Sequence, residues 1–384
     1  MIRPAARIRL SYFLVFCCTA SWLPLLADYC VGRGLTPVQV SVVLSITPVS
    51  MFLFQPVAGL LADRFGFKQA LVISTFLATL SYLGFLLVHD FTTIVLVAVA
   101  MSIFYNAVQP ILDSISMQCS KKDPRISYGK LRVAGAIGWS FTGWITGQMI
   151  EQINLDVIFW ISSITMFLCF LSIFTLPFSD REQYGLEKIE MRGAIQLLRN
   201  IPLLLFLLAV LLVSLAGTAI WNYYSLFMKS KGADQQLIGY GLSLQGLCEI
   251  PFFYFSGWII QRTGLKFTLL ITIIATALRL FLYSWINDPL LLLPIELLHG
   301  VSWSLFWVVG VEFVNRIVPS VWTATGQSLL YASYYGIGAI AGNLWAGFML
   351  DSGVELNTVF QLNTVFVILA FVLSAIAIRT NPQN

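Results

Sequence analysis

GLLADRFGFK, Gly59 to Lys68, and GWIIQRTGLK, Gly257 to Lys266, carry Gly, Arg, Gly and Lys at their first, sixth, eighth and tenth positions. The second copy starts 198 residues after the first, about half of the 384-residue chain. Each copy follows one apolar stretch and precedes another. The chain therefore reads as two related halves, each with a short basic turn between two membrane helices. Gly59, Asp63, Arg64, Gly66 and Lys68, with Gly257, Arg262, Gly264 and Lys266, form a candidate pair of gating loops. The copies are unequal, since Gln261 stands where the first has Asp63.

Bulk composition agrees with a membrane chain. It is 58% hydrophobic and 10% charged, with mean hydropathy +0.84, whereas a soluble domain carries about 25% charged residues. A helix needs roughly 20 mostly apolar residues to cross a bilayer, and backbone in lipid must satisfy its own hydrogen bonds. Twelve spans meet this description: 10–31, 37–61, 69–89, 92–118, 128–150, 156–178, 202–228, 236–260, 267–286, 289–311, 321–349 and 357–378. The longest interruption separates them six and six. The expected organisation is a six-helix bundle over 1–178, a cytoplasmic connector over 179–201 and a second six-helix bundle over 202–384. The mixed charge of the connector suits a solvated segment with some amphipathic helix.

Orientation follows from Lys and Arg in the short loops. Seventeen of the 22 fall on one side, among them Arg3, Arg7, Arg9, Arg64, Lys68, Lys121, Lys122, Arg125, Lys130, Arg262, Lys266, Arg316 and Arg379. Arg33, Lys229 and Lys231 fall on the other, and Arg132 and Arg279 lie inside spans. Both termini are expected in the cytoplasm, in a multi-pass protein of the plasma membrane (the inner membrane if the source is bacterial). The net charge of +4 is then a topology signal and gives no reason to expect nucleic acid. The first apolar run is too long for a secretory signal, and eleven more follow. Cys17, Cys18, Cys30, Cys119, Cys169 and Cys248 lack metal-type spacing and read as packing residues.

Charges inside spans are costly, about 2.5–3.5 kcal/mol each on insertion scales, and so face a partner or a water-filled cavity. Five stand out: Asp113, Arg132, Glu249, Arg279 and Glu296, with His299 as a titratable neighbour. Arg279 lies roughly 12 Å from the outer end of its span and His299 roughly 15 Å. Glu296 shares a helix face with His299, and Glu249 lies near the midplane. These four form a candidate proton relay, with a static ion-pair network as the plainer reading. Asp113 and Arg132 are expected to pair across the fourth and fifth spans, as part of a solute site or as an inner-gate salt bridge. Trp139, two turns beyond Arg132, shares its face and would suit a ring-shaped polar solute.

Asn106, Gln109 and Asp113, spaced three and four apart, make one polar stripe of the kind that lines a wet cavity. Asn222, Tyr223 and Gln245 extend the candidate solute contacts. Glu312 and Arg316, four apart, read as a helix-end pair. His89, beside Asp90, reads as solvated. Glycines are dense in the fifth and eleventh spans, including Gly135, Gly138, Gly143, Gly147, Gly338 and Gly342, which permits close helix contact.

GLLADRFGFK resembles the signature loop between the second and third helices of the major facilitator superfamily, and GWIIQRTGLK sits where that fold repeats it. The resemblance covers essentially the whole chain. It implies an all-α membrane protein of twelve transmembrane helices in two pseudo-symmetric six-helix bundles, with a midplane site opened alternately to each side. YGKLRVAGAIGW, Tyr128 to Trp139, is similar to the fifth-helix motif of lactose permease and of nucleoside/proton and phenylpropionate permeases. That similarity puts Arg132 at a substrate-binding arginine and Trp139 at a tryptophan that stacks on sugar. Asp113 falls one residue from an acidic substrate ligand. Arg279 and His299 keep the spacing of a coupling arginine and histidine, and Glu249 is similar to a helix-eight glutamate. Glu296 and Ser302 depart from the pattern of lactose permease, which has lysine and glutamate there.

The expected function is proton-driven symport of a small polar solute such as a sugar or nucleoside. An aromatic or other organic acid and a proton-antiport exporter are the alternatives. The partners implied are the solute, the proton and the lipid bilayer, with a monomer sufficient and the proton gradient in place of any cofactor. A membrane enzyme would need a nucleophile–base pair or metal cluster, which two histidines and scattered cysteines do not supply. A non-transporting sensor would need a large soluble effector segment.

Overall fold

The computed structural model describes residues 4–122, 128–175, 197, 199–319 and 322–380. Most of the expected connector over 179–201, together with Arg3 and Arg125, lies outside them. Gly59, Asp63 and Lys130 lie in helices but outside the described side chains.

Among the described residues every regular element is a helix. In chain order these are α1 (Pro4–Trp22), α2 (Leu26–Gly32), α3 (Pro37–Phe65), α4 (Phe67–Gly84), α5 (Phe91–Lys122), α6 (Tyr128–Gln152) and α7 (Val157–Phe174). There follow α8 (Ile201–Asn222), α9 (Tyr224–Ser230), α10 (Gln235–Thr263), α11 (Leu265–Trp285), α12 (Pro289–Glu296), α13 (Phe306–Ile317), α14 (Thr323–Tyr331), α15 (Ala339–Asp351) and α16 (Leu356–Thr380). Nine stretches among the described residues are long and apolar enough to cross a membrane. α6, α10 and the run from α14 to α15 fall short of that mark. They carry Arg132, Glu249 and many of the glycines, so polarity and small residues, not shortness, lower their hydropathy.

Several spans expected as single helices are interrupted. Pro24 opens a 3₁₀ turn over Leu23–Leu25 between α1 and α2. α8 ends at Asn222, and Tyr223 leads into α9. The tenth span breaks after α12, which contains Pro294, and continues as a π-helical stretch over Gly300–Leu305 before α13. A second π-helical stretch, Ala332–Gly338, joins α14 to α15. Periodicity misses such insertions because one extra residue per turn leaves the composition unchanged. They recur at functional sites in helical proteins.

The chain divides into two compact units. The first holds Met1–Leu186 and Met228–Leu247, so the opening half of α10 packs with the first-half helices. In it, α1 lies against α6 and α7, and α5 against α3 and α4. Ser21 and Ser162 hydroxyls meet at 2.7 Å, and the rings of Phe85 and Phe159 stack at 4.3 Å. Gly138 faces the Phe13 carbonyl so closely that a Cβ would collide with backbone. Gly147 and Gly239 meet in the same way across α6 and α10. Small residues at helix contacts are how membrane helices gain van der Waals packing.

The second unit holds Glu187–Phe227 and Cys248–Asn384. Here α8 packs on α15, α16 and the Ala332–Gly338 stretch, and α11 packs on α16, α13 and the Gly300–Leu305 stretch. Asn363 donates to the Ala216 carbonyl at 3.0 Å and accepts from Trp345 at 3.1 Å. None of the six cysteines is in a disulfide, and five of them are buried.

The repeat seen in sequence is also a repeat of backbone conformation. Gly66 precedes α4 with φ 98° and ψ 141°, and Gly264 precedes α11 with φ 82° and ψ 144°. That region is open to glycine almost alone. Each glycine carbonyl then accepts from the residue four ahead, Ala70 or Thr268, at 3.0 Å. The shared Gly at position eight thus stops one helix and starts the next.

Candidate functional site

In the second unit, four groups singled out from the sequence form one connected chain. The Arg279 Nη2 ion-pairs with Glu296 Oε2. Its Nη1 donates to His299 Nδ1 at 2.6 Å. The other ring nitrogen, Nε2, lies 3.1 Å from Glu249 Oε1. Arginine only donates, so His299 Nδ1 accepts and Nε2 holds the proton of the neutral ring, donating it to Glu249. The side chains of Arg279, Glu296 and His299 are 3%, 0% and 1% exposed, and Glu249 is 15% exposed. Three members are sealed and the fourth reaches the edge of the unit.

Sequence reasoning missed Tyr283. Its hydroxyl accepts from Arg279 Nε at 3.3 Å and Nη2 at 3.1 Å and donates to Glu296 Oε1. It stands four residues after Arg279 on α11, the spacing that puts two side chains together. That signal was present and was obscured by the apolar run around it.

The same sites border a row of aromatic rings. Trp221, on α8, lies edge-on to His299 at 5.0 Å and to Trp303 at 5.3 Å. Trp303 meets Trp307 at 5.6 Å and Tyr334 at 5.2 Å. Trp307 meets Tyr331 at 4.9 Å and Tyr335 at 5.2 Å. Trp303, Tyr334 and Tyr335 sit on the two π-helical stretches. A cavity of about 20 Å³ lies among Trp221, Thr276, Arg279, His299, Ser302 and Trp303, which is room for one water molecule.

In the first unit, Arg132 Nη1 lies 3.7 Å from Asp113 Oδ1, with the side chains 31% and 25% exposed. Asp113 also accepts from the Tyr12 hydroxyl at 2.6 Å, and the Arg132 guanidinium sits 5.3 Å from the Phe16 ring centre. Tyr12 and Phe16, on α1, were not foreseen. The expected polar stripe is divided: Asn106 is buried and donates to the Thr47 carbonyl at 2.9 Å, whereas Gln109 and Asp113 are half-buried. Trp139 is 7% exposed and packs by Gly246. Gln245, also buried, belongs to this first unit.

Two expected solute contacts serve the interior of the second unit. Asn222 donates to Asn343 Oδ1 at 2.7 Å, and Tyr223 donates to the Asn343 carbonyl at 3.4 Å; both are buried. They tie α8 to α15. Glu312 and Arg316 pair at 2.9 Å as a helix-end pair. His89 is not simply solvated: its Nδ1 lies 3.0 Å from Arg33 Nη1, and Arg33 also binds Asp156 at 2.9 Å. Of the basic motifs, Arg64, Arg262 and Lys266 are exposed and Lys68 half-buried. Arg262 lies 5.0 Å from the Trp258 ring centre, and a Cβ on Gly257 would meet open space. Buried Asp28, which the sequence left unremarked, binds Lys229 at 2.5 Å within the first unit. Among the described residues no cluster of His, Cys, Asp and Glu could hold a metal ion.

Known proteins place this geometry in a family. The profile of the MFS_1 like family matches residues 5–362. The uncharacterized transporter YwbF of Bacillus subtilis (strain 168) is 26% identical, over 100% of this chain and 95% of that protein. The maltose permease of Geobacillus stearothermophilus is 25% identical, over 89% of this chain and 86% of its own. A solved structure of a variant of the nucleoside transporter NupG superposes with TM-score 0.87 at 21% identity, covering 97% of this chain and 99% of that one. These proteins are transporters and permeases, and the chain is not an enzyme. With a helical architecture rich in membrane-length apolar segments, it is an integral membrane protein that belongs to the MFS_1 like family, within the major facilitator superfamily.

Proposed function

We propose that the chain is a proton-coupled symporter of a sugar or nucleoside, working by alternating access. The observation that carries the reading is the chain Glu296–Arg279–His299–Glu249 in one membrane-embedded unit. A carboxylate inside a membrane holds its charge while an arginine or a donating histidine faces it, and takes a proton when that partner withdraws. Motion of Arg279 relative to Glu296 and His299 is the event that would load and unload the proton. Glu249, the most exposed member, is the exit of the chain and exchanges protons with water.

Twelve helices in two six-helix bundles, residues 1–178 and 202–384 with a cytoplasmic connector between, supply the moving frame. Both termini are cytoplasmic, a monomer suffices, and the proton gradient is the driving force. The basic motifs at Arg64–Lys68 and Arg262–Lys266 latch the inner side. Arg132 and Asp113, half-exposed and level on neighbouring helices, contact the solute. The maltose permease and nucleoside transporter names among the similar proteins support a sugar or nucleoside as that solute.

Proteoliposomes with an imposed proton gradient test the reading. Glu249→Gln is expected to abolish gradient-driven accumulation and to leave solute exchange partly intact. Unchanged accumulation removes Glu249 from the relay. Arg132→Ala is expected to abolish solute binding; a change in gating rate alone would make the Arg132–Asp113 pair an inner-gate salt bridge.

A further inference from the structure

α10 runs without a break from Gln235 to Thr263, yet it belongs to both compact units, and the division falls between Leu247 and Cys248. Pro251 lies inside this helix, four residues past Leu247. A proline has no N–H to give to the carbonyl four residues back, and its ring crowds that carbonyl. The Leu247 carbonyl therefore loses its helical donor at the residue where one unit gives way to the other. Sharp bends in long helices centre on such prolines. Pro110 interrupts α5 in the same way, but both halves of α5 stay in the first unit.

Close backbone contacts hold α10 on either side of that point. Before it, Gly239 lies against Gly147 of α6, and a Cβ on Gly246 would collide with the Ser140 hydroxyl and crowd Trp139 and the Ala136 carbonyl. After it, a Cβ on Gly300 would collide with the Cys248 carbonyl and the Phe252 ring. Gly300 follows His299 directly and opens the π-helical stretch. The first clamp ends at Gly246 and the second begins at Cys248, two residues on. Glu249 stands inside the loosened turn between Leu247 and Pro251, with His299 Nε2 3.1 Å from its Oε1. A displacement of α6, which carries Arg132 and Trp139, is then absorbed in the few residues that aim the Glu249 carboxylate.

We propose that Pro251 makes α10 a hinge, and that bending over Leu247–Pro251 carries motion of α6 to Glu249 and so makes or breaks its contact with His299. Pro251 is a positioning residue, acting through Glu249. Gly300 supplies the fixed side of the hinge, because its backbone ties the turn to the segment that carries His299. The inference rests on the proton-coupled reading above and adds a mechanical link between the Arg132–Asp113 pair and the relay. Such a link is reciprocal: a change at Glu249 shifts the bend just as the bend shifts Glu249.

The test uses the full-length protein carrying Cys248→Ser, the other five cysteines being buried, with spin labels at Tyr240 and Trp285, which are 45% and 67% exposed. Tyr240 lies in the first half of α10, and Trp285 ends α11. A change of bend of about 20° over the roughly 12 Å from Tyr240 to the hinge moves the label by about 4 Å. Expected is a change of this size in the label separation, read by pulsed dipolar spectroscopy, when Glu249→Gln is introduced, and its loss when Pro251→Ala is added. Pro251→Gly keeps a flexible turn and should recover most of the change, which a proline needed only for packing would not. In proteoliposomes with an imposed proton gradient, Pro251→Ala should lower accumulation of labelled maltose or uridine about tenfold, with solute exchange and its KM close to wild type. The same label response with and without Pro251 overturns the hinge, and no response to Glu249→Gln overturns its tie to the relay. Gradient-driven accumulation at the wild-type level in Pro251→Ala overturns that tie as well. If the wild type accumulates neither solute, the symport reading fails on that result alone, and the labels still decide the hinge.

Discussion

The two units hold their membrane-embedded charges in different ways. In the first, Arg132 and Asp113 stand 3.7 Å apart with a quarter to a third of each side chain exposed. In the second, Arg279 is enclosed by Glu296, Tyr283 and His299, and almost nothing of the group reaches the surface of the unit. A loose, wet pair is weakly coupled to its partner and can exchange it for a solute at small cost. A sealed set makes strong, directional contacts that must break or reform together. The same residue types therefore sit in different surroundings, and under the proposed function the accessible pair recognises the solute while the enclosed network stores two arrangements.

The comparison breaks most readily at the arginines. Arg279→Ala leaves Glu296 buried without its cation and is expected to cost about 3–5 kcal/mol of stability. Arg132→Ala is expected to cost less than about 1 kcal/mol, read as the difference in detergent unfolding temperatures. Replacing Arg279 and Glu296 together by Met and Leu should recover most of the loss, since the uncompensated charge goes too. Equal losses at Arg132 and Arg279 would erase the distinction between the units.

Tyr283→Phe is expected next, at about 1–3 kcal/mol, because Glu296 loses a donor and Arg279 an acceptor inside the protein. Its particular signature is a shifted pH profile of uptake with an unchanged solute KM. A purely structural tyrosine would lower the amount of folded protein and leave that profile in place.

The repeated motifs offer a finer contrast. Gly264→Ala should cost about 1–2 kcal/mol, because φ 82° suits glycine and strains alanine. Gly257→Ala, seven residues earlier in the same motif, meets open space and should be neutral or slightly stabilising. The smallest effect is expected at Asp90. Its carboxyl accepts from the Thr93 hydroxyl at 2.6 Å and the Thr93 amide at 3.1 Å, which holds it below the usual carboxylate range. A depressed carboxylate stabilises above its unfolded pKa and loses that contribution as pH falls through its folded value. Asp90→Ala should therefore lower the unfolding temperature slightly at neutral pH, and the gap from wild type should close in acid.

That Arg279, Glu296, His299 and Glu249 come together in the second unit was legible before any coordinates. All four are charged or titratable residues in apolar runs, and their positions along consecutive helices put them at matching depth. Tyr12 carried no sequence signal and Tyr283 only its spacing of four from Arg279, since a tyrosine in an apolar helix is ordinary and only its hydroxyl partner sets it apart. Asn222, Tyr223 and Asn106, expected at the solute, bond to neighbouring helices in this structure. A polar side chain in a membrane helix can face a cavity or bond a neighbouring helix, and composition is the same in both cases. Trp139 shares a helix face with Arg132 by spacing, but the neighbour that fills that face, Gly246, is more than a hundred residues away.

What the sequence by itself determined was local and chemical: apolar runs of membrane length, the glycine that ends a helix in each copy of the repeat, and the charges too costly to bury without a purpose. The physical reason is that hydropathy, backbone freedom and desolvation belong to single residues and their near neighbours. Only the tertiary structure decided which acid faces Arg279, which nitrogen of His299 carries the proton, and how the two π-helical stretches gather rings from distant helices into one wall. Those outcomes depend on contacts between residues far apart in the chain, where a shift of one residue in a helix turn redirects a side chain to a different partner.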